Sequence, residues 1–249
     1  MIDLSLDSKR VTKWLVTCIT GLAVAHVGAM LVYYGLEPEV PNRLADLYAR
    51  SICLFDLSEE SNLPTFYATS TLLVCSALLL LIARLTPPAS ENRPLHWSGL
   101  SAIFAFLAAD EFTQLHETLT VPFRVTLQTE GLLYYAWILP YGVALAALAL
   151  IYSGFLKRLP PGTRNRFVLA GVVFVTGAVG FEALGGREDA ANGWDTLAYL
   201  AYSTLEELLE MIGVAIFLVA LVQYLESIRG SVELHFTPSG PGGVAGDGE

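Results

Sequence analysis

Charge is scarce in this chain. Only 15% of the 249 residues are Asp, Glu, Lys or Arg, against roughly 25% in an ordinary soluble domain. With 54% hydrophobic residues and a mean hydropathy of +0.54, the composition excludes a water-soluble globule. Positive charge is the scarcer sign: 14 Lys and Arg stand against 24 Asp and Glu, a net charge of −10. Nucleic acid is excluded as a partner, because affinity for a phosphate backbone needs clustered Lys and Arg. A cation is the partner this balance favours. The three cysteines, Cys18, Cys53 and Cys75, have no CxxC spacing, so neither a thiolate zinc site nor a disulfide framework is expected. Ser-x-x-Lys, Gly-x-Ser-x-Gly, P-loop and Gly-x-Gly-x-x-Gly patterns are all missing, which removes the common nucleophile and nucleotide sites. No mid-span lysine offers a retinal-type Schiff base. The paired Glu-x-x-His signature of di-iron bundles is missing too.

Long apolar runs are what the chain has instead. Runs of about 20 residues read as transmembrane helices. Six are expected, at about Trp14–Gly35, Thr65–Ala83, Trp97–Glu117, Leu132–Phe155, Phe167–Gly185 and Ser203–Leu225. The first is too long, and lacks a small-residue cleavage pattern, to read as a signal peptide. The expected fold is all-α, a polytopic six-helix transmembrane bundle. Residues 1–13 form a cytoplasmic arm, 14–228 the membrane domain with an external segment at 36–64, and 229–249 a disordered cytoplasmic tail rich in Gly and Pro. Lys9, Arg10, Lys13, Arg84, Arg93, Lys157, Arg158, Arg164, Arg166 and Arg229 fall on one side, and Arg43, Arg50, Arg124 and Arg187 on the other. The basic side is cytoplasmic by the positive-inside rule, so both termini are expected inside and most acids outside. Within the external segment, Val40–Leu57 has the pattern of an amphipathic surface helix, and Asn62 or Ser61 is placed to cap a helix opening at Pro64.

The acids gather at the outer ends of three spans. Asp110-Glu111-Phe112-Thr113-Gln114-Leu115-His116-Glu117 closes the third, Glu182 closes the fifth, and Glu206-Glu207-Leu208-Leu209-Glu210 opens the sixth. On an ideal helix at about 100° per residue, Asp110, Glu111, Gln114, Glu117 and Thr118 share one wedge about 120° wide. Glu206, Glu207, Glu210 and Ser203 share another, while Leu205, Leu208 and Leu209 fall elsewhere. His116 lies about 120° off the first wedge and joins it only if the helix unwinds or bulges. Wet helix ends account partly for Glu206 and Glu207, since a helix N-terminus favours anions. They account poorly for Asp110, Glu111 and Glu117 at a C-terminus, and not for Glu182.

The alternatives are protonatable carboxylates on an ion pathway and a metal site. The metal reading takes Glu111, Glu117, Glu182, Glu207 and Glu210 as ligands of a divalent cation such as Fe, Mn, Zn or Ca, with Asp110, His116 and Glu206 ligating or supporting them. Arg124 and Arg187 are candidates to offset part of the negative charge. Asp56, Glu59, Glu60 and Asn62 are either a lid over this site or a solvated loop. His26, mid-span, reads as a buried hydrogen-bonded histidine or as a ligand or proton carrier; His96 and His235 read as solvated. Trp14, Trp97, Trp137 and Trp194 read mostly as interfacial markers.

Four blocks carry a family resemblance: Phe55-Asp56-Leu57 with Glu60-Ser61-Asn62-Leu63-Pro64-Thr65-Phe66-Tyr67; Asp110-Glu111 with His116-Glu117; Gly180-Phe181-Glu182; and Leu205-Glu206-Glu207 with Glu210-Met211-Ile212-Gly213. Together, over about residues 14–225, they resemble a group of small six-helix bacterial inner-membrane proteins of unestablished function. The resemblance implies the topology and the choice of blocks, and no chemistry.

Three functions remain open. The leading expectation is a metal-dependent membrane enzyme, an oxidoreductase or hydrolase, acting on a lipid or other apolar small molecule. The others are a cation or proton transporter or channel, and an accessory subunit that docks a membrane-complex partner or a second copy of itself. The apolar inner halves Leu100–Leu107, Val168–Val175 and Val214–Leu221 argue against an open ion path.

Overall fold

The computed structural model describes residues 4–5, 7–36, 52–88, 90, 93–229 and 233–234. Among them the regular elements are helical, apart from a two-residue antiparallel pairing of Leu4–Ser5 with Glu233–Leu234. The helices are α1 (Ser8–Leu36), α2 (Leu63–Leu85), α3 (Pro94–Thr113), α4 (Leu115–Leu127), α5 (Ile138–Arg158), α6 (Pro161–Val175), α7 (Glu182–Asn192) and α8 (Leu197–Arg229). A 3₁₀ turn, Gly131–Leu133, precedes α5, and a π turn, Thr176–Phe181, joins α6 to α7. Most of the amphipathic helix expected over Val40–Leu57, His235 and the tail beyond Leu234 lie outside the described residues.

Five helical stretches are long and apolar enough to cross a membrane: Ser8–Tyr34, Leu63–Leu85, Ile138–Arg158, Pro161–Asn192 and Leu197–Ile228. The expected third span, Trp97–Glu117, is not one continuous helix. It stops at Gln114, whose backbone is left-handed (φ 55°, ψ 37°) and whose N–H bonds Asp110 O at 2.7 Å. Neither Gly nor Pro marks this break, and the carboxylate chemistry described below replaces them.

Helix starts and stops follow their end chemistry. Asn62 caps α2 by accepting from Thr65 N at 3.1 Å. Its amide also donates to Cys53 O, Asp56 O and Glu59 O at 3.1, 2.6 and 2.8 Å, folding the segment before α2 into a compact cap. Pro94 and Pro161 open α3 and α6 in the first turn, where the missing N–H costs nothing. Ser8 donates from N and Oγ to the two Glu226 oxygens at 2.8 and 3.0 Å, so the start of α1 and the end of α8 lie side by side.

The core occupies the half of the bundle remote from the acids. From α2, Leu72, Cys75, Leu79 and Ile82 recur at helical spacing and are buried, with Leu218, Leu221, Val222 and Leu225 of α8 opposite. Trp97 is fully buried, ring to ring with Phe155 and Tyr224 at 4.9 and 5.0 Å. It is a core residue rather than an interfacial marker, whereas Trp14 and Trp194 are 66% and 70% exposed. His96, expected to be solvated, is half-buried and stacked on Phe155 at 5.6 Å. Cys75 is buried, and Cys18 and Cys53 are exposed and free.

Two glycines let α6 and its π turn approach α8 closely. A Cβ on Gly213 would meet Phe174 N and Cβ at 2.8 Å, and one on Gly177 would meet Glu206 O at 2.7 Å. Small residues at helix crossings are how membrane helices gain van der Waals packing without a hydrophobic force between them. By contrast α5 makes no extensive backbone packing with another helix; much of its surface, such as Val143, Leu150 and Ile151, is exposed.

Gly213→Ala should therefore destabilise the bundle by about 1–3 kcal/mol in reversible unfolding from mixed micelles. Gly21→Ala, where nothing lies within 4 Å, should be neutral or stabilising by up to about 1 kcal/mol.

Candidate acidic site

The gap between α5 and its neighbours is a cavity of about 780 Å³. Its inner walls are apolar: Leu100 and Phe104 of α3, Leu148, Tyr152 and Phe155 of α5, Phe167 and Phe174 of α6 and Phe217 of α8. Its polar end is lined by Glu59, Glu60, Asp110, Glu111, Glu117, Glu182, Glu206, Glu207 and Glu210, and among the described residues His116 is the sole basic side chain there, with neither Lys nor Arg. Each acid arrives through a distinct piece of local structure.

The break at Gln114 makes Asp110 the cap of α4. Its Oδ1 accepts from His116 N at 2.9 Å and from Tyr141 OH at 2.9 Å, and its Oδ2 lies 3.3 Å from His116 Nδ1. A carboxylate at the first turn of a helix meets free N–H groups and the positive end of the helix dipole. The unwinding also swings His116 off its ideal-helix direction and onto the cavity wall, against Trp137 at 4.8 Å between ring centres. Gln114, expected in the same wedge, becomes the hinge residue and does not line the cavity; Thr118 is exposed and donates to Leu115 O.

Glu182 follows the π turn, where an extra residue per turn rotates the chain relative to a continuous α-helix. Its Oε1 accepts from Trp137 Nε1 at 2.8 Å, and its carboxyl lies within hydrogen-bonding reach of Glu206. Two carboxyls at that range require a shared proton or a cation between them. Ser203, Glu206, Glu207 and Glu210 all face the cavity from α8. Trp137 and Tyr141, the donors to Glu182 and Asp110, went unnoticed in the sequence as site residues. Trp137, expected as an interfacial marker, is only 6% exposed. The only sequence signal is that it stands five residues inside the fourth apolar run rather than at its first residue.

Over the outer end sits the segment before α2. Leu57 is 1% exposed and packs with Ile19 and Met211. Its N–H donates to His26 Nδ1 at 3.0 Å, so the imidazole proton lies on Nε2, which bonds Thr204 Oγ1 at 2.9 Å. Thr204 in turn donates to Leu200 O at 2.7 Å. His26 thus ties α1, the cap and α8 together, and it does not line the cavity. Asp56 lies 3.4 Å from the same ring and accepts from Ser58 N and Oγ. Glu59 and Glu60 of this cap line the cavity, whereas Asn62 shapes the cap from outside it.

Arg124 and Arg187 do not offset the acids. They line a separate cleft with Thr129, Glu130 and Tyr134. The reason is angular: Arg187 is five residues from Glu182 in α7, about 140° around the helix.

Among the described residues, no group of three His, Cys, Asp or Glu side chains stands in a metal-holding arrangement. The acids share a cavity without forming a closed chelate. The chain belongs to the DUF8692 family, a domain of unknown function, over residues 10–225. That range takes in all four sequence blocks. No curated protein and no solved structure matches it.

Glu60 gives this site a pH signature. Burial first, then the charge of Glu117, pushes its carboxyl up from 4.5 to about 7, with His116 opposing. Between those values the folded chain keeps a proton that the unfolded chain has released, so stability contributed here falls as pH rises. In EDTA, Glu60→Gln should match the wild type near pH 4 and exceed it near pH 8 by about 1–2 kcal/mol. Equal stability at both pH values would contradict this.

Proposed function

We propose that this DUF8692 protein is an integral membrane protein of six crossings with a divalent-cation site in the outer half of the bilayer, where it acts as a metal-dependent enzyme on a lipid or other apolar molecule. One observation carries the reading: among the described residues, nine carboxylates and one imidazole, with no Lys or Arg, line the polar end of a single cavity whose other walls are apolar. So many anions cannot stay ionised together in a partly desolvated pocket without cations or protons. The donor set, carboxylate oxygens with a single imidazole, suits hard or borderline cations such as Fe, Mn, Zn or Ca.

Glu111, Glu117, Glu182, Glu207 and Glu210 are the proposed ligands, with His116 and Glu206 completing or supporting the set. Asp110, whose oxygens are engaged by His116 and Tyr141, is a positioning residue. When bound, the cation would supply Lewis-acid activation of substrate or water, or of dioxygen if it is redox-active. The chain's own residues shape the rest. Trp137 and Tyr141 fix two carboxyls, the Leu57 cap excludes water from above, and the loosely packed α5 leaves a side entrance at bilayer depth for an apolar chain. The sixth crossing is α3, whose 20 residues span about 30 Å. Adjacent ends of α1 and α8 support termini on one side, and the basic side chains make that side cytoplasmic, in a bacterial inner membrane.

A second reading has its own support. The Glu182–Glu206 pair within hydrogen-bonding reach is also what a proton-carrying site would contain, so cation or proton transport is the alternative.

Elemental analysis of detergent-purified protein separates the two. The enzyme reading expects stoichiometric divalent metal, lost by at least about tenfold in Glu182→Gln and Glu210→Gln with unchanged elution and helicity. No metal in the wild type, together with liposome cation or proton flux abolished by Glu210→Gln, would move the assignment to transport.

A further inference from the structure

The second cleft lies on the far side of α7 from the acids and encloses about 610 Å³. Its charge is inverted: two guanidiniums, Arg124 and Arg187, and one carboxylate, Glu130. Among the described residues neither arginine forms an ion pair. Arg124 lies over the Tyr134 ring, 4.2 Å from its centroid, which holds its fork in place. Thr129 folds back under the end of α4, with its N–H on Arg124 O at 3.3 Å. Its hydroxyl is buried with no partner among the described residues. A guanidinium held over a ring and a second guanidinium lining the same cleft are groups that bind a phosphate.

The cleft's depth follows from what surrounds it. α4 has 13 residues, about 20 Å, too short to cross the bilayer. It follows directly on the outer end of α3. Around the cleft Val125, Leu127 and Leu132 are 71%, 52% and 48% exposed. Exposed apolar side chains beside basic ones are the pattern of a helix lying at the membrane surface, which sets Arg124 at headgroup level.

We propose that the Arg124–Arg187 cleft binds a phospholipid headgroup carrying an amine: the phosphate between the two arginines, the ammonium against Glu130. Glu130 selects among headgroups, because it repels a purely anionic one and complements a zwitterion. This site stands apart from the proposed cation chemistry and does not depend on it.

The test is titration of the purified full-length chain by microscale thermophoresis with three probes: short-chain phosphatidylethanolamine, phosphatidylglycerol of the same chain length, and inorganic phosphate. The amine lipid should bind about tenfold or more tighter than either of the others. Arg124→Gln with Arg187→Gln should weaken it at least about tenfold. Glu130→Gln should erase the preference over phosphatidylglycerol without weakening phosphatidylglycerol itself. Inorganic phosphate binding as tightly as the lipid would make this a free-phosphate site and overturn the proposal. So would unchanged lipid affinity in the double variant, or an undiminished amine preference in Glu130→Gln. Metal content measured on the same samples should not change, so failure here and failure of the cation reading are read separately.

Discussion

Negative charge without a counter-charge, held in a half-buried pocket, is the constraint around which this protein is arranged. An ionised group at membrane depth is costly and normally faces a partner or water. Here the acids from the cap, α3, α4, α7 and α8 face one cavity, and Arg124 and Arg187 open onto another. What tempers the repulsion within the chain is a set of neutral donors. Tyr141 and the His116 backbone serve Asp110, and Trp137 serves Glu182. These donors fix geometry but carry no compensating charge, so the pocket calls for protons or a cation.

The helical irregularities concentrate where that charge lies. Gln114 is left-handed at the end of α3, Thr176–Phe181 is a π turn immediately before Glu182, and the Asn62 network folds the segment that carries Glu59 and Glu60. Each departs from a regular helix in order to aim a polar side chain, and such departures recur at functional sites in proteins generally. The remote half of the bundle, by contrast, is regular and tightly packed, with Leu79, Ile82, Trp97 and Leu221 fully buried. Rigidity at one end and irregularity at the other suit a site built on a fixed scaffold. The loosely attached α5 is the element that leaves room between them.

The short helix α7 separates an acidic cavity from a basic cleft. That division comes from the pitch of one short helix, which sends Glu182 and Arg187 to different faces. A chain with ten more acids than bases thus still presents a local concentration of positive charge.

Spacing and hydropathy by themselves determined the helical class, the membrane character and the position of the apolar stretches, because burial of hydrocarbon over about 20 residues depends only on composition along the chain. They also narrowed the cap of α2 to Asn62 or Ser61, a purely local effect, and the structure has Asn62 there. They did not reveal the stop after Thr113, since no Gly or Pro announces it; a side chain from the preceding turn, Asp110, caps the next helix, and that depends on Tyr141 arriving from α5. Nor did they separate Trp97 and Trp137 from true interfacial aromatics, because aromatic residues look alike in sequence whether a neighbouring helix or a lipid covers them. Which acids share a cavity, which way His116 turns and where the arginines go were decided by tertiary packing, through contacts between helices far apart in the chain.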